Sequence, residues 1–286
     1  MKSDRRNCDL SFSNLCSWRF LYDTQYAVID NFLVFKFWAG EQLAYMMPVG
    51  SGDLKAILRE LIEDADKEKH NFCMLGVCSN MRADLEAILP GQFTFTENRD
   101  YADYIYLRSD LATLKGKKFQ AKRNHINRFR NTYPDYEYTP ITPDRIQECL
   151  DLEAEWCKVN NCDQQEGTGN ERRALIYALH NFEALGLTGG ILHVNGKIVA
   201  FTFGMPINHE TFGVHVEKAD TNIDGAYAMI NNEFANHIPE QYIYINREED
   251  LGLEGLRKAK LSYQPVTILE KYMACLKDHP MDIIRW

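Results

Sequence analysis

The sequence predicts an α+β protein in which one arrangement, a mixed central sheet flanked by helices, occurs twice. Three observations carry that expectation. YAVID and FLVFKFW turn at Asp30-Asn31, and GILHV and KIVAFTFGMPI turn at Asn195-Gly196, a dipeptide suited to a two-residue hairpin. After each hairpin come a third strand, a helix opened at a glycine (Gly52 or Gly225), a short apolar strand (FCMLGV or YIYIN), a second helix and a final strand. Between the copies lies LATLKGKKFQAKRNHINRFRNTY, Leu111 to Tyr133, which holds seven lysines and arginines and no acid. The chain is thus expected to divide into 1–110, a basic helical segment 111–133, and 134–286.

Taken in order, Asp9 to Phe20 shows no sustained period and is expected to be irregular. Strands begin at Tyr26. Leu54, Ile57, Leu58, Leu61 and Ile62 stripe a helix from Gly52 to Lys69. FCMLGV is a buried strand, Ser79 is placed to cap a helix ending before Pro90-Gly91, and FTFT and DYIYL complete the first copy. In the second copy YEYTPI is a strand. Thr142-Pro143-Asp144 then opens a helix toward Lys158, with proline at its first position. Asn160 to Gly169 reads as a polar loop, Glu171 to Leu185 as a helix, and TFGVHVEKA as a strand after the hairpin.

At 286 residues the chain can bury two ordinary cores. No apolar run reaches the roughly 18 residues of a membrane span. The charged start lacks a signal-peptide core, so the reading is cytoplasmic. The cysteines Cys8, Cys16, Cys73, Cys78, Cys149, Cys157, Cys162 and Cys275 form no Cys-x-x-Cys pair, and free buried thiols are expected rather than disulfides or a metal site. His193 and His215 fall on strands, where packed histidines are expected rather than ligands.

The basic segment stands out against an acidic protein. The chain carries a formal charge of -9, and without the seven cations of this segment the remainder stands at -16. Leu111, Leu114, Phe119, Ile126 and Phe129 mark a buried side interrupted at Lys115-Gly116-Lys117. A face built for solubility mixes both signs. One without acids is expected to hold Lys118, Lys122, Arg123 and Arg128 toward phosphate.

The second chemical stretch is INREEDLGLEGLRKAKLSYQP. Arg247, Glu248, Glu249 and Asp250 follow the YIYIN strand, so carboxylates gather at the carboxyl end where open sheets place ligands, and Glu217 ends the neighbouring HVE strand. Glu217, Glu249 and Asp250 are candidates to deprotonate an attacking group or to receive a cationic one. Arg257, Lys258 and Lys260 on the next helix are candidates for phosphate.

The order of elements resembles the acyl-CoA N-acyltransferase (GNAT) fold, in which two splayed central strands receive an acyl donor. The donor loop of that fold corresponds to Asn222-Ile223-Asp224-Gly225-Ala226-Tyr227, placing Asn222, Gly225 and Ala226 at the donor. Asp224 there repels a pyrophosphate, and Tyr227 is bulky where a small residue is usual. By the same resemblance, Tyr263 is the acid that protonates the leaving group. The two long stretches together are similar to the carboxy-terminal domain of the phosphatidylglycerol lysyltransferases, a family with tandem GNAT domains akin to the peptidoglycan-bridge aminoacyltransferases. This resemblance implies transfer of an aminoacyl group from aminoacyl-tRNA to a phospholipid head group or other anionic acceptor, with no permanently bound cofactor. Two alternatives stay open: an N-acyltransferase using acyl-CoA, and a non-catalytic module that binds RNA or another anion.

Overall fold

The computed structural model describes residues 5–160 and 166–277. Two short helices lead, α1 (Phe12–Ser17) and α2 (Arg19–Tyr22). The first copy follows as β1 (Gln25–Ile29), β2 (Phe32–Ala39), β3 (Gln42–Tyr45), β4 (Val49–Gly50), α3 (Leu54–Lys67), β5 (Cys73–Cys78), α4 (Ser79–Ile88), β6 (Phe93–Glu97) and β7 (Asp103–Leu107). The basic segment forms α5 (Arg108–Thr113) and α6 (Gln120–Thr132). The rest is β8 (Glu137–Pro140), α7 (Ile146–Asn160), α8 (Glu166–His180), β9 (Thr188–Val194), β10 (Lys197–Pro206), β11 (Thr211–Ala219), α9 (Ala226–His237), β12 (Tyr244–Asn246), α10 (Glu254–Leu261), β13 (Thr267–Leu269) and β14 (Lys271–Leu276). No helix among the described residues is long and apolar enough to cross a membrane.

Both hairpins form as expected. Asp30 and Asn31, and Asn195 and Gly196, adopt positive φ, the geometry that matches the twist of the flanking strands. The first sheet runs β1-β2-β3-β5-β14-β6 with β4 on β2, and the second runs β13-β7-β12-β11-β10-β9-β8. Each sheet therefore takes one strand from the other copy. β7 lies between β12 and β13, and β14 lies between β5 and β6, so the sequence boundaries at 110 and 134 do not follow the sheets.

Alternation along the strands fixes the layers. Leu192 and Ala200 face α6 and α9, whereas Ile191 and Phe201 face α7 and α8. Ile57, Leu58 and Leu61 of α3 and Leu85 of α4 close the core of the first sheet.

Three expectations need correction. The leading segment is helical. Helices of six and four residues are too short to display a period, and α1 is supported by packing on α8. Helix α8 begins at Glu166, five residues before the expected start and inside the expected loop, while 161–165 and Cys162 lie outside the described residues. Cys73 and Cys275 are not free: they are direct partners in the antiparallel pairing of β5 and β14, 4.1 Å apart at Cα, and form a disulfide. A pairing across 202 residues depends on the strand exchange, which spacing does not reveal.

Candidate active site

Parallel strands β11 and β12 pair only from Thr211 to Gly213 against Tyr244 to Asn246. Beyond Gly213, β11 stays paired with β10 but has no partner on its β12 side, so Val214 to Glu217 border a gap. That gap opens into a cavity of about 1530 Å³ that also reaches the first sheet and the two leading helices.

The basic segment supplies one wall. Its interruption is a left-handed Leu114 and a Gly116 at φ 93°, and Phe119, Ile126 and Phe129 are buried beneath α6 as expected. Lys122 points into the cavity with its Nζ 3.9 Å from the Tyr263 ring centroid. Burial, with repulsion from Arg247, lowers Lys122 to about 8. Arg247 Nη2 donates to Glu217 Oε1 at 2.9 Å, and Asn231 Nδ2 donates to Glu217 Oε2 at 3.1 Å. The guanidinium carbon lies 4.7 Å from the Tyr263 ring centroid, and its buried Nη1 has no hydrogen-bond partner among the described residues. Burial raises the Tyr263 hydroxyl above its ordinary value, which keeps it protonated. Lys260 donates to the carbonyls of Arg247 and Glu249, and burial, with the Arg247 charge, lowers it.

Behind this floor lies an ionic cluster that the sequence does not announce. Lys271 Nζ sits 2.5 Å from Glu249 Oε1, 2.8 Å from Asp103 Oδ1 and 2.9 Å from Asp9 Oδ2. Burial pushes Glu249 up to about 7 against the opposing charge of Lys271. Glu249 also accepts from the Cys8 thiol at 3.3 Å. Beside it, His215 Nδ1 meets Glu248 Oε1 at 2.7 Å, and His215 Nε2 meets Ser11 Oγ at 3.0 Å.

The cavity thus gathers Glu217, Glu249, Tyr263, Lys122, Arg247 and Lys260, together with Gly225 and Ala226 of the expected donor loop. Other candidates lie elsewhere. Asp250 is fully buried outside the cavity, accepting from Tyr104 at 2.5 Å and from Arg257 at 2.7 and 2.8 Å; these partners hold it well below the usual carboxylate range, so it anchors α10 rather than taking up protons. Arg257 is occupied by Asp250 and Asp100. Arg123 donates to the carbonyls of Leu114 and Gly116 and so braces the turn into α6. Lys118 pairs with Asp110 at 2.9 Å, and Lys258 is exposed away from the cavity. Asn222 is exposed, with its side chain on Asp220 at 2.9 Å.

The donor loop is covered by the basic helix. Arg128 pairs with Asp224 at 2.5 Å, and a Cβ on Gly225 would stand 2.9 Å from the His125 carbonyl and 3.1 Å from Phe129 Cβ. Glycine is needed there both for that approach and for φ 84°. The Ala226 amide donates to the Ile223 carbonyl at 3.1 Å and is spent in the turn. Sequence reasoning placed Glu248 in the carboxylate cluster without singling it out, and missed His215, Asp9 and Lys271, because their partners come from distant elements.

Comparison with known proteins agrees with this architecture. The family model described as "Phosphatidylglycerol lysyltransferase, C-terminal" matches residues 1–275. A crystal structure of a conserved protein of unknown function from Bacteroides thetaiotaomicron is 95% identical, with 97% of this chain and 94% of that chain covered and a TM-score of 0.95. L-PGS from Bacillus licheniformis shares the fold at 18% identity, covering 99% and 90% of the two chains, with a TM-score of 0.66. FemX does so at 8% identity, covering 95% and 92%, with a TM-score of 0.59. An uncharacterized protein of Mycoplasmoides gallisepticum is 26% identical over 175 residues, which span 60% of this chain and 55% of that relative. The fold is GNAT-like and duplicated, and the family match supports a function of aminoacyltransferase type.

Proposed function

The chain belongs to the phosphatidylglycerol lysyltransferase C-terminal family, and from that premise we propose that it transfers an aminoacyl group from an aminoacyl-tRNA-like donor to a phospholipid head group. The observation that carries the reading is the cavity at the splayed strands, where Lys122 and Arg247 lie against the ring of Tyr263, whose hydroxyl burial keeps protonated. Lys122 and the unpartnered Nη1 of Arg247 are donors for a phosphate oxygen. Tyr263 protonates the ribose oxygen that leaves the donor. Positioning both substrates in one enclosed space supplies the main acceleration, without a covalent intermediate.

The rim supports a lipid acceptor. Leu21, Tyr101, Leu251, Leu253, Leu256 and Met273 line the cavity yet are exposed, forming an apolar collar around a polar floor. The start of α9 weighs against acyl-CoA as donor. In a coenzyme A enzyme a pyrophosphate would sit at this helix start, but here α6 is packed on it and Asp224 adds negative charge.

The test follows label from a bulk tRNA pool charged with radioactive amino acids into vesicles of phosphatidylglycerol, alongside direct binding of coenzyme A. Labelled lipid without coenzyme A binding is expected. Tight coenzyme A binding, with no release of amino acid from tRNA, overturns the reading.

A further inference from the structure

We propose that Glu248 is the base that accepts the proton of the attacking acceptor group, and that His215 and Asn14 orient it. This rests on the acyl-transfer reading above. The other groups are engaged: Asp224 of the donor loop pairs with Arg128 and His125, Lys122 of the basic segment lies over the Tyr263 ring, Glu217 binds Arg247, Glu249 binds Lys271, and Asp250 lies outside the cavity.

Glu248 differs from these. Its Oε1 accepts from Asn14 Nδ2 at 2.7 Å and is 2.7 Å from His215 Nδ1. Its Oε2 has no partner among the described residues, on a side chain that lines the cavity and is 20% exposed. A carboxylate oxygen only accepts, so His215 Nδ1 is the donor in this contact, while Nε2 faces Ser11 Oγ. One oxygen is thus held by two donors from different elements while the other is left to act.

The backbone is specialised at the same residue. Glu248 has φ 58°, a left-handed conformation that is strained for a residue bearing a side chain. Asn246 Oδ1 accepts from the Glu248 amide at 2.7 Å and stabilises this turn. The turn aims the side chain across the gap, toward His215 on β11.

The proton balance closes. Glu248 takes the proton of the acceptor hydroxyl as its oxygen bonds to the acyl carbon. The bond to the ribose oxygen then breaks and Tyr263 protonates that oxygen. The proton on Glu248 returns through cavity water to the tyrosinate, and both residues end as they began.

The test compares two acceptors with charged bulk tRNA as donor: phosphatidylglycerol vesicles, and hydroxylamine, which is unprotonated at neutral pH and needs little base assistance. Glu248→Gln should lose about 10²–10⁴-fold in transfer to lipid while forming aminoacyl hydroxamate at nearly the wild-type rate and binding tRNA unchanged. His215→Asn should show the same split with a smaller loss. Equal transfer to lipid by Glu248→Gln and wild type overturns the proposal, as does an equal loss with both acceptors. A wild-type protein that forms no hydroxamate refutes the acyl-transfer reading itself, and this assignment with it.

Discussion

Replacing Lys271 by methionine tests the ionic cluster behind the site. The ammonium is 3% exposed and touches Asp9, Asp103 and Glu249 within 2.9 Å. Methionine keeps the stem and removes the charge, leaving three carboxylates facing one another. Deleting one partner of a buried ion pair costs about 3–5 kcal/mol, and the burial leaves no reason to discount that figure for solvent screening. In a chain of this length the fall in Tm is on the order of 10 °C. The loss should depend on pH. Glu249 titrates near 7 in the fold, raised by burial and opposed by Lys271. A raised carboxyl contributes stability that is fully present below its unfolded value and is lost as pH rises through about 7. Lys271 holds Asp9 down and opposes the rise of Asp103 and Glu249, so without it all three carboxyls move upward. The deficit of Lys271→Met is therefore larger at pH 8 than at pH 5, where protonation relieves the repulsion. Urea midpoints of both proteins at the two pH values measure this. A loss below about 1 kcal/mol, or one equal at both pH values, refutes the reasoning.

Two further perturbations follow from the same geometry. Breaking the Cys73–Cys275 bond with Cys73→Ser releases a loop closed across 202 residues, for which chain entropy gives up to about 5 kcal/mol; thermal unfolding with and without reductant reads it, and alkylation of both cysteines in the untreated protein would refute the pairing. Lys122 is a cation below about 8 and neutral above it. Binding of charged tRNA should therefore weaken as pH rises through that value, and Lys122→Met should bind weakly and lose the pH step, whereas Lys118→Met should bind as wild type does; a wild-type profile in Lys122→Met would refute the assignment.

What was legible in the sequence was local. The hairpins at Asn31 and Asn195, the stripe of α3 and the buried phenylalanines of α6 each follow from a period or a turn residue, and each stands where the sequence places it. Lys122, Arg247 and Glu217 could be nominated because unusual charge concentrates in short stretches. The same signal nominated Arg123 and Arg257, whose guanidinium groups instead hold backbone carbonyls and the buried carboxylate of Asp250. Charge in a sequence marks where ions occur, but the fold decides whether they face a ligand or one another. His215 looked like an ordinary strand histidine because its partners, Ser11 and Glu248, are 204 and 33 residues away.

The exchanged strands explain why those distant partners meet. Asp103 belongs to β7 and Lys271 to β14, the two strands that cross between the copies, and their side chains join at 2.8 Å directly behind the loop that follows β12. Asp103 also accepts from Asn246 at 2.8 Å, Lys271 holds Glu249, and Lys260 ties down the carbonyls on either side of Glu248. The segment carrying Arg247, Glu248 and Glu249 is thus fixed by contacts from both copies. Neither half can complete its sheet without the other, and neither can position this loop alone. The duplication that looked like two independent units in sequence therefore yields one site, whose geometry is as stable as the exchange that builds it.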